Sequence, residues 1–317
     1  MTTDAPAVSV VMTAFNREAY IAEAIESVLV QTYPDFELIV VDDASTDRTV
    51  AIAREYEARD PRVRVVVNER NLGDYPNRNR AATLASGRYL KYHDSDDVLY
   101  PHCLEIMVRL LDDEPRAGFG LTAGPVWPGG PTPILSTPRM NYQREFLGYG
   151  MFMCGPACAM FRTEVFERLG GFPTDAGPHS DYVFWLGACA QHPVVLFPGD
   201  LFWYRIHAGQ HRWSPTAARD NARMGEFAWR ALAAPQCPLQ PEERELARRN
   251  LAFNIARQVW RDARRAEIAL ATYRLRHSGL GPADWLRWLR RPRRSGLAGT
   301  PLDPRGECVV PAWMRLP

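Results

Sequence analysis

An alternation of short β-branched runs with amphipathic helical patterns, over residues 7–122, is the feature that most restricts the fold of this chain. Between the first two runs, apolar residues recur at helical spacing at Ile21, Ile25, Val28 and Leu29. Repeated strand-helix-strand units of this kind build a mainly parallel sheet flanked by helices. The sequence therefore predicts a Rossmann-type α/β fold with strands at 8–12, 36–41, 63–67 and 89–93.

Polar clusters follow three of these predicted strands, at 13–16, 42–43 and 94–97. Parallel sheets bind ligands beyond the carboxyl ends of their strands, where such clusters meet. Within the same loops, Asn16 is expected to cap the first helix, and Ser45 or Thr46 the second.

The most acidic of the clusters is Asp94-Ser95-Asp96-Asp97. Three carboxylates in one loop repel each other unless a cation is shared, and hard oxygen ligands suit Mg²⁺ or Mn²⁺. Aspartate is also a common turn and N-cap residue. Taken alone, the cluster is compatible with either a metal site or a helix cap.

Charge and hydropathy exclude some classes of protein. The chain has 38 basic and 37 acidic residues and a net charge of +1, so no overall field favours nucleic acid as a partner. No apolar run approaches the roughly 20 residues that span a bilayer. Residues 8–12 are too few for the apolar part of a signal peptide. The cytoplasm is therefore the expected location.

The later part of the chain is less regular. Pro and Gly are frequent between 124 and 138, and helical patterns dominate beyond Ser214. We expect a catalytic domain at 1–213, divided into halves at 7–122 and 123–213, followed by a helical extension at 214–317. The Trp/Arg-rich segment 284–294 is predicted either to contact an anionic membrane peripherally or to pack its Trp side chains on the domain.

An ordered set of motifs resembles family 2 glycosyltransferases with the GT-A fold. The motifs are VSVVMTAFNR at 8–17, SVLVQTY at 27–33, ELIVVDDASTD at 37–47, Asn71-Leu72-Gly73, Arg78-Asn79, Gly87-Arg88-Tyr89 and Asp94-Ser95-Asp96-Asp97. The resemblance covers roughly residues 7–210, and the ordered set is far more specific than any single motif. The resemblance implies an inverting enzyme that transfers sugar from a nucleotide-diphosphate donor to a saccharide or lipid-linked acceptor. UDP is the preferred base by resemblance, with dTDP and GDP open. The oligomeric state is not indicated.

The resemblance also implies a donor site. Its residues are Thr13, Phe15 and Asn16 around the nucleotide, Asp43 on the base, and Arg78, Asp94 and Ser95 beside the rest of the donor. Two alternatives stay open at this point. Asp43 is also suited to capping the turn after its strand, and Arg78 is also suited to a solvated helix surface.

A metal site, for Mn²⁺ or Mg²⁺, is implied as well. Asp94 and Asp96 match the family's D-x-D motif, and His207 matches a histidine that approaches the metal or the diphosphate. A lone histidine beside Trp203 and Tyr204 is also a common structural residue.

By the same resemblance, Asp181 is the base that deprotonates the acceptor hydroxyl. Ser180 stands where the family often has an acidic residue, and Asp181 is also suited to capping the following helix. The departure at Ser180 keeps an alternative function open, a non-catalytic nucleotide-sugar-binding or scaffold protein of the same fold.

Overall fold

The computed structural model describes residues 5–122, 133–148, 150–199, 201–210, 213–281 and 284. The Trp/Arg-rich segment predicted at 284–294 therefore lies outside the described residues, except for Asp284. Within the described ranges, no helix combines the length and the apolar character needed to cross a bilayer.

An eight-stranded sheet forms the centre of the molecule, in the order β3-β2-β1-β4-β8-β6-β9-β7. Its strands are β1 Val8–Ala14, β2 Phe36–Asp42, β3 Val63–Val67, β4 Tyr89–Asp94, β6 Phe119–Thr122, β7 Ile134–Ser136, β8 Ala159–Arg162 and β9 Val194–Phe197. The four strands from β3 to β4 are parallel, and β8 joins β4 and β6 as an antiparallel strand. A small antiparallel ladder pairs β5 Val98–Leu99 with β10 Phe202–Trp203. The predicted α/β architecture with a mainly parallel sheet is confirmed.

The strand register aligns the carboxyl ends of β1, β2 and β4. Thr13 on β1 pairs with Val41 on one side and with Asp94 on the other. Because these strands are parallel and end at the same level, the polar segments after them meet at one edge of the sheet.

Helices cover both faces of the sheet. They are α1 Ile21–Leu29, α2 Thr49–Glu57, α3 Asp74–Thr83, α4 Cys103–Asp113, α5 Pro138–Phe146, α6 Thr163–Arg168, α7 Ser180–Gln191, α8 Ala217–Asn221, α9 Met224–Ala233, α10 Pro241–Arg264 and α11 Ile268–Arg276. Alternate strand residues enter different hydrophobic clusters, as the two-residue period of a strand requires. Val10 and Val40 belong to a buried cluster that includes residues of α1 and α4, whereas Val11 and Val41 belong to one that includes residues of α3, α5 and α7.

The carboxyl-terminal helices share the core of the sheet domain. Phe227, Leu232 and Ala247 belong to the same buried cluster as strand β6. At its amino end, α10 is joined to α5 through Glu243, which accepts hydrogen bonds from Arg139 and Gln143. The boundary predicted at 213–214 therefore does not separate two hydrophobic cores, and the division into domains stays a prediction.

Two predicted helix caps are wrong. The N-cap of α1 is Tyr20, and Asn16 instead uses its side-chain oxygen to accept the backbone N–H of Thr46, 2.9 Å away. The N-cap of α2 is Arg48, and its first turn is held by Asp47, which accepts the N–H of Thr49. Hydrogen bonds between the loop after β1 and the loop after β2 therefore occupy the side chains that were predicted to cap the helices.

Candidate active site

A cleft of about 1230 Å³ opens at the carboxyl edge of the sheet. Eight of the predicted site residues line it: Thr13, Phe15, Asp43, Arg78, Asp94, Ser95, Asp96 and Asp181. The other two, Asn16 and His207, do not line it but contact residues that do: Arg17 donates to the backbone oxygen of Asn16, and His207 contacts Asp96. The edge of the sheet thus gathers residues that are up to 168 positions apart in the sequence.

The loop after β1 supplies one side of the cleft. Ser95 donates its hydroxyl to the backbone oxygen of Thr13 at 2.8 Å, which joins the ends of β1 and β4. Asn16 has a positive φ of 52°, and its N–H donates to the Ser45 hydroxyl. Phe15 remains 43% exposed, so its ring face is free to stack on a flat ligand such as a nucleobase.

Asp43 is a buried anchor for the loop opposite. Its Oδ1 accepts hydrogen bonds from the Asn68 side chain at 2.7 Å and from the Leu72 N–H at 2.8 Å, and its Oδ2 accepts the Gly73 N–H at 2.9 Å. Gly73 has a φ of 90°, a conformation that favours glycine. A carboxylate can accept about four hydrogen bonds, so one acceptor position is left for a ligand.

Arg78 connects helix α3 to the acidic loop. Its Nε donates to Asp74 Oδ1 at 2.7 Å and its Nη1 lies 2.8 Å from Asp94 Oδ1. Burial lowers the pKa of the guanidinium, but the carboxylates of Asp74 and Asp94 outweigh it and raise this pKa above its ordinary value. The same ion pair outweighs burial at Asp94 and lowers the pKa of its carboxyl. Arg78 is therefore a buried cation of the site, not a solvated helix residue.

Asp96 meets His207 on the other side of the acidic loop. The distance from Asp96 Oδ2 to His207 Nε2 is 2.9 Å, and Arg17 Nε lies 3.1 Å from the same oxygen. The imidazole also packs on Tyr20, with ring centroids 4.7 Å apart. His207 therefore contacts Asp96 directly, and its predicted approach to the metal or the diphosphate stays a prediction.

The side chains that meet here provide only part of a site for a divalent metal ion. Carboxylate oxygen and imidazole nitrogen from Asp96 and His207 form a suitable pair for Mn²⁺. Asp94 is directed to Arg78 instead. Over the described ranges, no three His, Cys, Asp or Glu side chains converge as a ready metal site. The chain therefore supplies two adjoining ligands, and a third only if the Asp94–Arg78 ion pair opens.

Two buried groups, Asp97 within the loop and Lys91 on the strand before it, have environments that the sequence analysis did not predict. Burial and the charge of Asp94 raise the pKa of Asp97 to about 8, and its Oδ1 accepts the N–H of Arg205. Lys91 is completely buried, and its Nζ donates to the backbone oxygens of Tyr92 and Ala157. A buried ammonium and a carboxyl that is readily protonated both reduce the repulsion among the loop carboxylates. The sequence did contain one signal for the buried charge, which is a lysine within a strand that is otherwise largely apolar.

Asp181 lies in the first turn of α7 and lines the cleft. It does not cap the helix, because the N-cap position is His179. Burial raises the pKa of its carboxyl to about 7, although the Tyr182 N–H, Arg78 and the Tyr75 hydroxyl each act to lower it. A carboxylate with this pKa is well matched to accepting a proton near neutral pH.

The cleft lining has a charged part, which includes Asp43, Arg78, Asp94 and Asp96 and is called the charged wall, and an apolar part, called the apolar wall. The apolar wall consists of Phe152, Met153, Gly155, Pro156 and Pro178. Met153 is 72% exposed, so its side chain is accessible to a ligand. The sequence analysis named none of these residues, because they lie in loops that lack a periodic pattern.

Comparison with known proteins gives three findings. The family model described as glycosyl transferase family 2 matches residues 9–170, more than half of the chain. An uncharacterized glycosyltransferase of Haemophilus influenzae is 38% identical over 227 residues, which cover 65% of this chain and 67% of that protein. Other matches are shorter, and the chain spans 39% and 50% of the length of two further curated relatives.

Solved structures share the fold at low identity. Staphylococcus aureus TarS 1–349 in complex with UDP-GlcNAc has a TM-score of 0.60 and 22% identity, covering 77% of this chain and 70% of that one. Mannosyltransferase PcManGT of Pyrobaculum calidifontis, in complex with GDP-Man and Mn²⁺, has a TM-score of 0.57 and 21% identity, covering 92% of this chain and 88% of that one.

Proposed function

This chain belongs to glycosyl transferase family 2, and we propose that it transfers a sugar from a nucleotide-diphosphate donor to an acceptor hydroxyl with inversion. A UDP-sugar is the first candidate donor. The acceptor is a saccharide or a lipid-linked saccharide, in the biosynthesis of a polysaccharide, glycolipid or other glycoconjugate. The observation that carries the proposal is that one cleft holds both the acidic loop with Arg78 and the isolated carboxyl of Asp181.

The donor is proposed to lie along the charged wall. Phe15 would stack on the base, Asp43 would use its remaining acceptor position on it, and Arg78 would face the diphosphate. Breaking the bond between sugar and phosphate builds negative charge on the leaving diphosphate, which fixed positive groups stabilise. Arg17 and Arg78 both line the cleft, which supports this orientation.

A divalent ion, Mn²⁺ or Mg²⁺, is proposed to be held by Asp96 and His207, with Asp94 as the third ligand. When bound, it would offset charge on the diphosphate as a Lewis acid. The complex of PcManGT with Mn²⁺ is consistent with this proposal for a protein of the same fold.

Asp181 is proposed as the general base. It would accept the proton of the acceptor hydroxyl while the oxygen attacks the anomeric carbon from the side opposite the diphosphate. Attack from that side inverts the anomeric configuration. The apolar wall would hold the acceptor and keep water from the donor sugar.

The experiment begins with binding and then asks for turnover. UDP-, dTDP- and GDP-sugars are screened by thermal shift with and without Mn²⁺, and each donor that binds is tested for hydrolysis and transfer by anomer-resolved NMR. We expect a metal-enhanced shift with at least one donor and an inverted product. Binding with no turnover for any donor would favour the alternative, a nucleotide-sugar-binding protein, which the serine at position 180 motivates.

A further inference from the structure

Helix α10 carries a row of exposed arginines around a tryptophan. Arg257, Trp260, Arg261 and Arg264 are separated by three and four residues, so they project from the same face of the helix. All four are exposed, and Trp260 retains 66% of its accessible surface. We call these four residues the arginine row. They lie away from the cleft and are not part of its lining.

The charge pattern of the arginine row differs from that of four other helices. On α2, α4, α6 and α9, arginines pair with a glutamate three or four residues away, as in Arg54–Glu57, Arg109–Glu105, Arg168–Glu164 and Arg230–Glu226. In the row, Arg257 instead has Arg261 four residues on. Like charges at this spacing destabilise a helix. Among the residues that the structure describes, the row arginines form no ion pair.

The helix dipole accounts for only part of this pattern. Arginines in a last turn stabilise the carboxyl end of a helix, which covers Arg261 and Arg264. It does not account for Arg257, which lies almost two turns from the end, or for an exposed tryptophan among cations. Asp262, next to Arg261 in the sequence, is buried and pairs with Arg274 at 2.9 Å.

We propose that the arginine row docks helix α10 on an anionic lipid surface. Arginines bind lipid phosphates, and tryptophan is favoured at the boundary between headgroups and acyl chains. The chain's own segment 285–317 is a poor occupant, because it contains seven arginines but only Asp303 and Glu307 as acidic residues. Such a segment would be repelled by the row and attracted to the same anionic surface.

The test measures binding of the full chain to vesicles by co-sedimentation. Vesicles of phosphatidylglycerol and phosphatidylcholine in equal amounts are compared with phosphatidylcholine alone at constant salt. Each arginine near an anionic surface contributes about fivefold in affinity, so Arg257→Gln/Arg261→Gln/Arg264→Gln should weaken binding to anionic vesicles by about a hundredfold. Trp260→Ala should weaken it by a smaller factor.

A matched variant separates the row from net charge. Arg54→Gln/Arg109→Gln/Arg168→Gln removes the same charge from three other helices and should leave vesicle binding unchanged. The row variant should unfold at no lower temperature than the parent, since it relieves repulsion, and its donor binding should be unaltered. A merely structural role for the row would instead lower the unfolding temperature.

Four results would overturn the proposal. They are equal binding to neutral and anionic vesicles, no binding to either, unchanged binding of the row variant, and equal loss in the matched variant. If Arg290→Gln/Arg291→Gln/Arg293→Gln/Arg294→Gln abolishes binding while the row variant retains it, the terminal segment is the docking element and the row is not. Tighter, row-dependent binding to a single-stranded oligonucleotide would identify nucleic acid as the occupant instead.

Discussion

The two walls of the cleft are built in different ways. The charged wall consists of side chains at the ends of parallel strands, held by hydrogen bonds and ion pairs such as Asp43 with Gly73 and Arg78 with Asp94. The apolar wall consists of side chains outside the strands and α-helices, including Met153 and Pro178. Asp181 lies at the start of helix α7, where burial and two groups of helix α3, the Tyr75 hydroxyl and Arg78, act on its carboxyl.

The difference suggests a division of labour. Fixed charges position a ligand with a defined charge pattern, such as a nucleotide diphosphate, because they need no reorganisation when it binds. An apolar loop surface adapts to partners of various shapes, which suits an acceptor. Substitutions in the charged wall should therefore change donor binding, and substitutions in the apolar wall should change acceptor binding.

The largest expected effect belongs to Asp181→Asn. Removing a general base lowers the rate by about 10³-fold, whereas donor binding should stay within about twofold of the parent. Transfer kinetics and calorimetry with the donor measure the two quantities. Asp175→Asn, an exposed aspartate nearby, serves as the control. A folded Asp181→Asn protein with full transfer activity would show that Asp181 is not the general base.

Asp43→Ala tests whether the charged wall is held by its anchor. It removes the shared acceptor of three hydrogen bonds, so we expect a loss of about 3 kcal/mol in the free energy of unfolding and weaker donor binding. Urea denaturation measures the first and calorimetry the second, with exposed Asp35→Ala as the control. Unchanged stability together with lost donor binding would mean that Asp43 contacts the base without anchoring the loop.

Asp96→Ala separates metal binding from catalysis. We expect donor affinity in Mn²⁺ to fall by about tenfold, to the level seen without metal, because one of two adjoining ligands is lost. Asp113→Ala on the surface of α4 is the control. If Asp96→Ala binds the donor with the same response to Mn²⁺, the ion is held elsewhere.

The pH dependence gives the smallest effect. Because burial raises the pKa of Asp181 to about 7, the base is protonated below that pH and active above it. Transfer should therefore rise as pH increases and level off above about 7, with about a tenth of the plateau rate one unit below. The residual activity of Asp181→Asn should lack this limb. A limb that persists in the variant would belong to another group.

The predictions from sequence were accurate for the strands that lead into the charged wall. The strand ends that carry Thr13, Asp43 and Asp94 follow from periodic burial, which is a local property of the chain. The caps at Asn16 and Ser45 were wrong because these side chains bond across loops that are 29 positions apart. Local rules cannot anticipate a partner that only the fold brings near.

By itself, the sequence determined the α/β fold, the edge of the sheet where a ligand would lie, and the carboxylates available there. The tertiary structure alone decided their environments: that Arg78 is buried between two aspartates, that Asp96 contacts His207, and that Asp181 is desolvated enough to raise its pKa. The physical reason is that periodic burial is encoded by neighbours in sequence. The charge state of a side chain instead depends on groups brought close by folding.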